Sequence, residues 1–283
     1  MHTAPKAIES RDAAGLCVVK DQFVFAIGGV DYLRNKINNG LKSSVEMLDV
    51  SSSFLCWIPK VHMLGSRKCF GVGVLNNCIY AIGGVGYVRR RNRYLKSVEV
   101  FNLDTQQWKK VSSMSSSRIA FGVGVLNNLI YAVGGTDDDS CLKSVECYDP
   151  RLDKWNPVAK MSTGRENVRV GVLDGVMYAI GGTDGSYYLK SVEAYNPITG
   201  VWSSIADMHL CRENPGVVAL DGLLYVFGGS TNISRYDNSD TVEIYNPKTN
   251  SWAMKTISIT NMNIMNYIYE AVVVNRPPHL QTN

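Results

Sequence analysis

Arg118–Gly164 reads RIAFGVGVLNNLIYAVGGTDDDSCLKSVECYDPRLDKWNPVAKMSTG. Its landmarks recur along the whole chain. Twin glycines stand at Gly28-Gly29, Gly83-Gly84, Gly134-Gly135, Gly181-Gly182 and Gly228-Gly229. Each is followed by Val-Glu and then by a tryptophan: Trp57, Trp108, Trp155, Trp202 and Trp252, which are all the tryptophans present. From each of the first four tryptophans to the next twin glycine is 26 residues. A period of about 47–55 residues marks a repeat architecture, and this settles the fold class before any single motif does.

Each unit opens on an arginine: Arg67, Arg118, Arg165, Arg212. A short apolar run follows, GVGVLNN from Gly71 and Gly122, RVGVLDG from Arg169, GVVALDG from Gly216. Its Asn-Asn or Asp-Gly pair is a two-residue hairpin signal. A second apolar run of the IYAIGG type ends on the twin glycine. After a loop comes SVEVF, SVECY, SVEAY or TVEIY, and a turn returns the chain to the tryptophan. The unit therefore predicts four short antiparallel strands. One such sheet cannot bury both faces alone, whereas sheets stacked radially can, and that arrangement is an all-β propeller. The tryptophan is expected between neighbouring sheets. The twin glycine is expected at a strand end, at positive φ or in close backbone approach. The repeated arginine reads as a donor to backbone carbonyls, with a ligand-binding role as the alternative.

Composition agrees with one repeat-filled domain over 1–283. Hydrophobic residues make up 45%, enough for a sizeable core, and charged residues only 19%. A net charge of +4 without a basic stripe argues against nucleic acid as the main partner. The seven cysteines include no CxxC pair and suit reduced thiols in a cytoplasmic protein. MHTAPKAIES lacks the apolar core of a signal peptide, and no run approaches a membrane span. The sequon at Asn232 reads as chance.

Twin glycine, an aromatic such as Tyr148 or Tyr195, and Trp seven residues later resemble the kelch repeat. The spacing holds for Phe101 to Trp108, Tyr148 to Trp155, Tyr195 to Trp202 and Tyr245 to Trp252. The first unit departs, with Leu48 nine residues before Trp57. WD40 propellers fit poorly, since no Trp-Asp or Gly-His pair recurs. The resemblance covers about residues 11–275 and is nearest to the kelch domain of BTB-kelch (kelch-like) proteins. It divides the chain into repeats at 11–66, 67–117, 118–164, 165–211 and 212–261, which are five complete four-stranded blades. It also implies a six-blade parent in which one blade is assembled from both termini. Residues 267–275 then read as a closing strand whose partners would precede Met1. A five-blade ring with a spare strand is the alternative.

Function is expected where the repeats differ. From the first glycine to the valine of Val-Glu the chain spans 17, 15, 11, 11 and 14 positions. Length variation confined to one loop class suggests a binding face. The second loop holds Tyr87, Arg89, Arg90, Arg91, Arg93 and Tyr94; the third holds Asp137, Asp138 and Asp139. The fourth holds Asp184, Tyr187 and Tyr188, and the fifth holds Arg235 and Tyr236. Just after the repeat arginines come Lys68, Glu166-Asn167 and Glu213-Asn214. In the resembling family these positions, and the one following each twin glycine, often touch a partner. The basic loop suits an acidic peptide, because arginine offers bidentate contacts to carboxylates. Pairing of Arg89–Arg93 with Asp137–Asp139 is the competing reading.

No catalytic constellation is visible, so the chain is not read as an enzyme, and neither cofactor nor metal is expected. His62 and His209 flank Met63 and Met208 as turn residues, and no HxH, HExxH, GxSxG or P-loop occurs. A galactose-oxidase-like copper site is a remote alternative. The resemblance implies a protein-interaction module, the substrate-recognition domain of a cullin-RING ubiquitin ligase adaptor. Cullin contact would come through BTB and BACK domains, which these residues do not include. An actin-binding, cytoskeleton-associated role is the alternative. No membrane partner is expected.

Overall fold

A computed structural model describes residues 5–31, 40–88, 90–137, 140–230 and 241–256. Within these, strands β1 (Gly15–Val19), β2 (Phe23–Ile27), β3 (Val45–Asp49) and β4 (Trp57–Lys60) form the first four-stranded sheet. In the next repeat come β5 (Arg67–Lys68), β6 (Gly71–Leu75), β7 (Cys78–Ile82), β8 (Val85–Val88), β9 (Arg91–Tyr94), β10 (Val98–Asn102) and β11 (Gln107–Val111). Here β6-β7-β10-β11 form the four-stranded sheet, and β5-β8-β9 form a separate small one.

The third sheet is β12 (Gly122–Leu126), β13 (Leu129–Val133), β14 (Val145–Asp149) and β15 (Lys154–Val158). The fourth is β16 (Arg169–Leu173), β17 (Val176–Ile180), β18 (Val192–Asn196) and β19 (Val201–Ser204). The fifth is β20 (Gly216–Leu220), β21 (Leu223–Phe227), β22 (Thr241–Asn246) and β23 (Ser251–Thr256). The expected closing strand at 267–275 lies outside the described residues. Two compact units organise the chain: one within Met1–Ile119 carries the first two four-stranded sheets, and one within Ala120–Ala271 carries the last three.

The turn chemistry explains the strand registers. Asn76-Asn77, Asn127-Asn128, Asp174-Gly175 and Asp221-Gly222 all lie at positive φ. Such turns match the twist of the flanking strands, and Asn, Asp and Gly tolerate them best. The first repeat differs: Val19 pairs with Phe23 across the three residues Lys20, Asp21 and Gln22. That extra residue shifts everything upstream by one. It also accounts for Arg11, which stands 17 residues before Gly28 where its counterparts stand 16 before theirs.

Burial is greatest between successive sheets of a unit. In the first unit, Cys17, Phe25, Ile27 and Val45 pack with Ile79, Ala81, Phe101 and Trp108. In the second, Tyr131, Val133 and Val145 meet Met177, Ala179 and Tyr195; Tyr178, Ile180 and Val192 then meet Leu224, Val226 and Tyr245. Trp108, Trp155, Trp202 and Trp252 each sit directly opposite their repeat's aromatic, as in Tyr195↔Trp202, with ring centroids 5.2 Å apart. Such pairs contribute about 0.5–1.5 kcal/mol beyond area burial. Leu48 is likewise directly opposite Trp57, so the two extra residues of the first unit are absorbed by the turn between them.

The indole also reaches back one repeat. Trp108, Trp202 and Trp252 donate Nε1–H to the carbonyls of Val61, Ala159 and Ala206 at 3.0, 3.0 and 2.8 Å. Trp57 donates to the Pro5 carbonyl at 3.0 Å, so residues 5–11 serve the first sheet as the tail of each repeat serves the next.

Candidate functional site

The repeat arginines are structural donors, as expected, and they are also half of a buried ion pair. Arg165 is fully buried. Its Nη1 donates to the carbonyls of Gly181 at 3.0 Å and Ser191 at 2.8 Å; Nη2 donates to Ser191 Oγ at 2.9 Å and Glu193 Oε1 at 3.1 Å. Burial pulls the guanidinium below its usual pKa, and the Glu193 carboxylate opposes that shift. Glu193 in turn accepts the backbone N–H groups of Ser162 at 2.7 Å and Thr163 at 3.2 Å. Arg67–Glu99, Arg212–Glu243 and Arg11–Glu46 repeat this pairing at 2.7, 3.0 and 2.7 Å. A planar fork with five donors suits such a junction, where lysine would leave carbonyls unsatisfied. The arginine is therefore held by its own repeat.

Its backbone carbonyl binds the preceding repeat. The second glycine of each of the first four pairs donates N–H to the next repeat's arginine carbonyl: Gly29 to Arg67, Gly84 to Arg118, Gly135 to Arg165 and Gly182 to Arg212, at 2.7–2.9 Å. Both glycines lie at positive φ in all five pairs. A Cβ on Gly181 would stand 2.3 Å from the Arg212 carbonyl oxygen, so this approach requires glycine.

With these contacts made, the two sets of positions singled out in the sequence come together. The residue after the twin glycine bridges the residue after the arginine: Asp12↔Val30, Lys68↔Val85, Glu166↔Thr183, Glu213↔Ser230. The end of the variable segment bridges the same residue in Val30↔Leu41, Val85↔Tyr94, Thr136↔Cys141 and Thr183↔Tyr188. In the first, second and fourth repeats both bridges form, and they make a narrow ribbon at one end of the sheet.

This geometry agrees with the sequence families. A family described as Kelch motif matches residues 66–115, 117–162, 164–209 and 211–255, about two thirds of the chain. The chain belongs to the kelch-repeat family. Its fold is the kelch β-propeller, and it is a kelch-repeat interaction domain related to kelch-like proteins. Human Kelch-like protein 28 is 38% identical over 90 residues, which cover 30% of this chain and 16% of that protein. Kelch repeat protein C2 of vaccinia virus (strain Western Reserve) is 30% identical over 107 residues, covering 35% of this chain and 20% of that protein. Kelch-like ECH-associated protein 1A of Danio rerio is 32% identical over 80 residues, 28% of this chain and 13% of that protein. The chain thus aligns with a fifth or less of each relative's length.

Among the variable segments of these kelch repeats, the second departs from expectation. It is a β-hairpin, β8 paired with β9 in the register Val85↔Tyr94, Gly86↔Arg93, Tyr87↔Asn92 and Val88↔Arg91. Arg90 takes positive φ in the turn. Val and Tyr in β8 and the short partner β5 favour extended strands where the sequence reads only as a loop. Arg90, Arg91, Arg93 and Tyr94 are exposed, and among the described residues no ion pair engages the three arginines.

The acidic candidates are more committed. Asp184 Oδ1 accepts N–H from Ser186 at 2.9 Å and Tyr187 at 2.8 Å, which hold its carboxyl below the usual pKa. Asp137 Oδ1 accepts the Ser140 N–H at 2.9 Å. These carboxylates shape their own turns. Asn167 and Asn214 stand at positive φ, and the Asn214 N–H donates to the Asn167 carbonyl at 2.9 Å. Asn167 Nδ2 donates to Glu213 Oε1 at 2.7 Å. Tyr187 is exposed, while Tyr87 and Tyr188 are partly buried. Arg89, Asp138, Asp139, Arg235 and Tyr236 lie outside the described residues.

Glu166 is under electrostatic load. Burial and then the neighbouring Glu213 carboxylate raise its pKa. The fold therefore favours the protonated carboxyl. That contribution is full below the ordinary carboxylate pKa and is lost as pH rises through the raised value. Glu166→Gln is expected to raise the melting temperature at pH 7 by about 1–3 °C. The gain should vanish near pH 4, as thermal scans across that range will show. The positioning of Arg11 and Glu46 is what the sequence reading missed. Their signal was the same arginine and Val-Glu pair as elsewhere, displaced by one residue.

Proposed function

We propose that this kelch domain is the target-recognition module of a BTB-kelch adaptor for a cullin-RING ubiquitin ligase, acting in the cytoplasm. The observation that carries the recognition role is the contrast within each repeat. Twin glycine, arginine, Val-Glu and tryptophan make the same contacts repeat after repeat. The segment between the twin glycine and Val-Glu changes in length, charge and conformation. A surface that varies on a constant scaffold is where binding specificity resides. The relatives named as kelch-like proteins favour the adaptor reading over a cytoskeletal one, and cullin contact is assigned to BTB and BACK domains.

The exposed arginines of the second repeat make the surface testable. Arg90→Ala, Arg91→Ala and Arg93→Ala combined are expected to weaken target capture at least ten-fold and leave the melting temperature within about 1 °C, since exposed residues carry little stability. Capture is read with tagged full-length protein in cells treated with a proteasome inhibitor, scoring ubiquitylated partners. Unchanged capture by the triple variant would remove the hairpin from the site. Co-sedimentation with actin filaments in place of ubiquitylated partners would overturn the adaptor assignment.

A further inference from the structure

The β8–β9 hairpin has two unlike faces. Cross-strand partners share a face, so Arg91 and Arg93 lie with Val88 and Gly86, while Tyr87 and Tyr94 lie on the other side. Gly86 and Val85 are buried at the hairpin base. Towards the turn the hairpin enters solvent: Val88 is 45% exposed, and Arg91 and Arg93 are exposed throughout. Strand β9 is the outer strand of its sheet, in the order β5-β8-β9. Outer strands are commonly guarded by lysine, proline or a bulge. This one carries two arginines on one face, neither engaged in an ion pair among the described residues.

Residues two apart on a strand stand about 6.7 Å apart on the same face. An extended peptide has the same spacing. Two carboxylates at alternate positions therefore meet the two guanidiniums in step, each able to form a bidentate contact. On a helix, same-face residues fall three or four apart and the backbone curves away from a narrow two-stranded ribbon. The exposed Val88 beside Arg91 offers an apolar floor for the peptide's carboxylate-bearing stems. We propose that the hairpin receives an extended segment of a partner protein carrying Asp or Glu at alternate positions, one carboxylate to Arg91 and the next to Arg93. The proposal rests on the target-recognition reading and specifies the conformation and charge register of the bound segment.

The test uses the full chain and two fluorescein-labelled twelve-residue peptides of identical composition, read by fluorescence anisotropy in low salt. One places three Asp at alternate positions; the other separates them by three residues. The alternating peptide is expected to bind at least ten-fold more tightly. Arg91→Ala and Arg93→Ala should each remove at least ten-fold, and Arg91→Lys should recover only part, because lysine cannot form the bidentate contact. Equal binding of the two peptides would overturn the alternating register while leaving target recognition intact. Binding of neither, with target capture still abolished in the triple arginine variant, would overturn the acidic strand as the partner. A single-stranded oligonucleotide bound as tightly as the alternating peptide would overturn it in favour of nucleic acid.

Discussion

Glu193→Ala is expected to destabilise the protein by about 3–5 kcal/mol, because it leaves Arg165 charged and buried without its counter-ion. The carboxylate does three things at once. It neutralises a fully buried guanidinium, and it accepts the N–H groups of Ser162 and Thr163 at the end of the preceding repeat. Removing it leaves the guanidinium with its carbonyl and hydroxyl acceptors but no counter-ion, and takes the acceptor from both amides; a buried polar group left unpaired costs about 1–3 kcal/mol. The measurement is the shift in urea midpoint at pH 7 with the slope unchanged. A second variant separates charge from hydrogen bonding: Arg165→Met with Glu193→Leu removes both ions together and should recover part of the loss. Recovery will be incomplete, because the Gly181 and Ser191 carbonyls lose their donors too. A loss below about 1 kcal/mol for Glu193→Ala would mean that water replaces the carboxylate, and the pair would no longer count as the repeat's central brace.

The second large effect is expected at a glycine. Gly181→Ala should cost about 3 kcal/mol or more, from a left-handed conformation and from contact with a backbone oxygen that cannot move alone. The comparison that isolates the two causes is Gly175→Ala. Gly175 sits in a hairpin turn at φ 75°, and nothing lies within 4 Å of its would-be Cβ, whereas the Cβ of Gly181 would meet Arg212 O at 2.3 Å. Gly175→Ala should therefore show the conformational cost alone, about 1 kcal/mol. Thermal unfolding of the two variants side by side gives the answer. Equal losses would sink the argument from close approach.

The scaffold was legible because its signals are local and periodic. Alternation in SVECY, the Asn127-Asn128 turn and the fixed distance from Trp155 to Gly181 each specify a strand, a turn or a register without knowledge of distant residues. The Arg–Glu pairs were harder to see. Arg67 and Glu99 are separated by a segment of variable length, and charged residues ordinarily lie at the surface. Only their recurrence as two opposite charges in every unit betrays a buried pair. The first repeat shows the limit of periodicity. One extra turn residue, Leu48 in place of an aromatic, and two added residues before Trp57 leave its four strands intact, yet the family match begins at residue 66.

At the candidate surface the sequence located the variable segments but could not rank their residues. Asp184 and Arg91 look equally available in a string of letters. Asp184 is occupied by the amides of its own turn, while Arg91 stands on an exposed strand. The hairpin itself was concealed, since Arg90 is an unusual residue for a left-handed turn and no Asn-Gly or Gly pair marks it.

The bond from the second glycine of one repeat to the arginine carbonyl of the next has a further consequence. Each of the first four repeats supplies a donor forwards and the repeat after it the acceptor, so a stretch one period long from within these repeats carries a complete set of joints wherever its ends are cut. A tandem gene duplication within such a chain therefore adds a blade whose seams are already matched, without waiting for compensating substitutions. The joints between repeats also leave the segment after each twin glycine free to change, so new blades can diverge in what they recognise while the seams stay fixed.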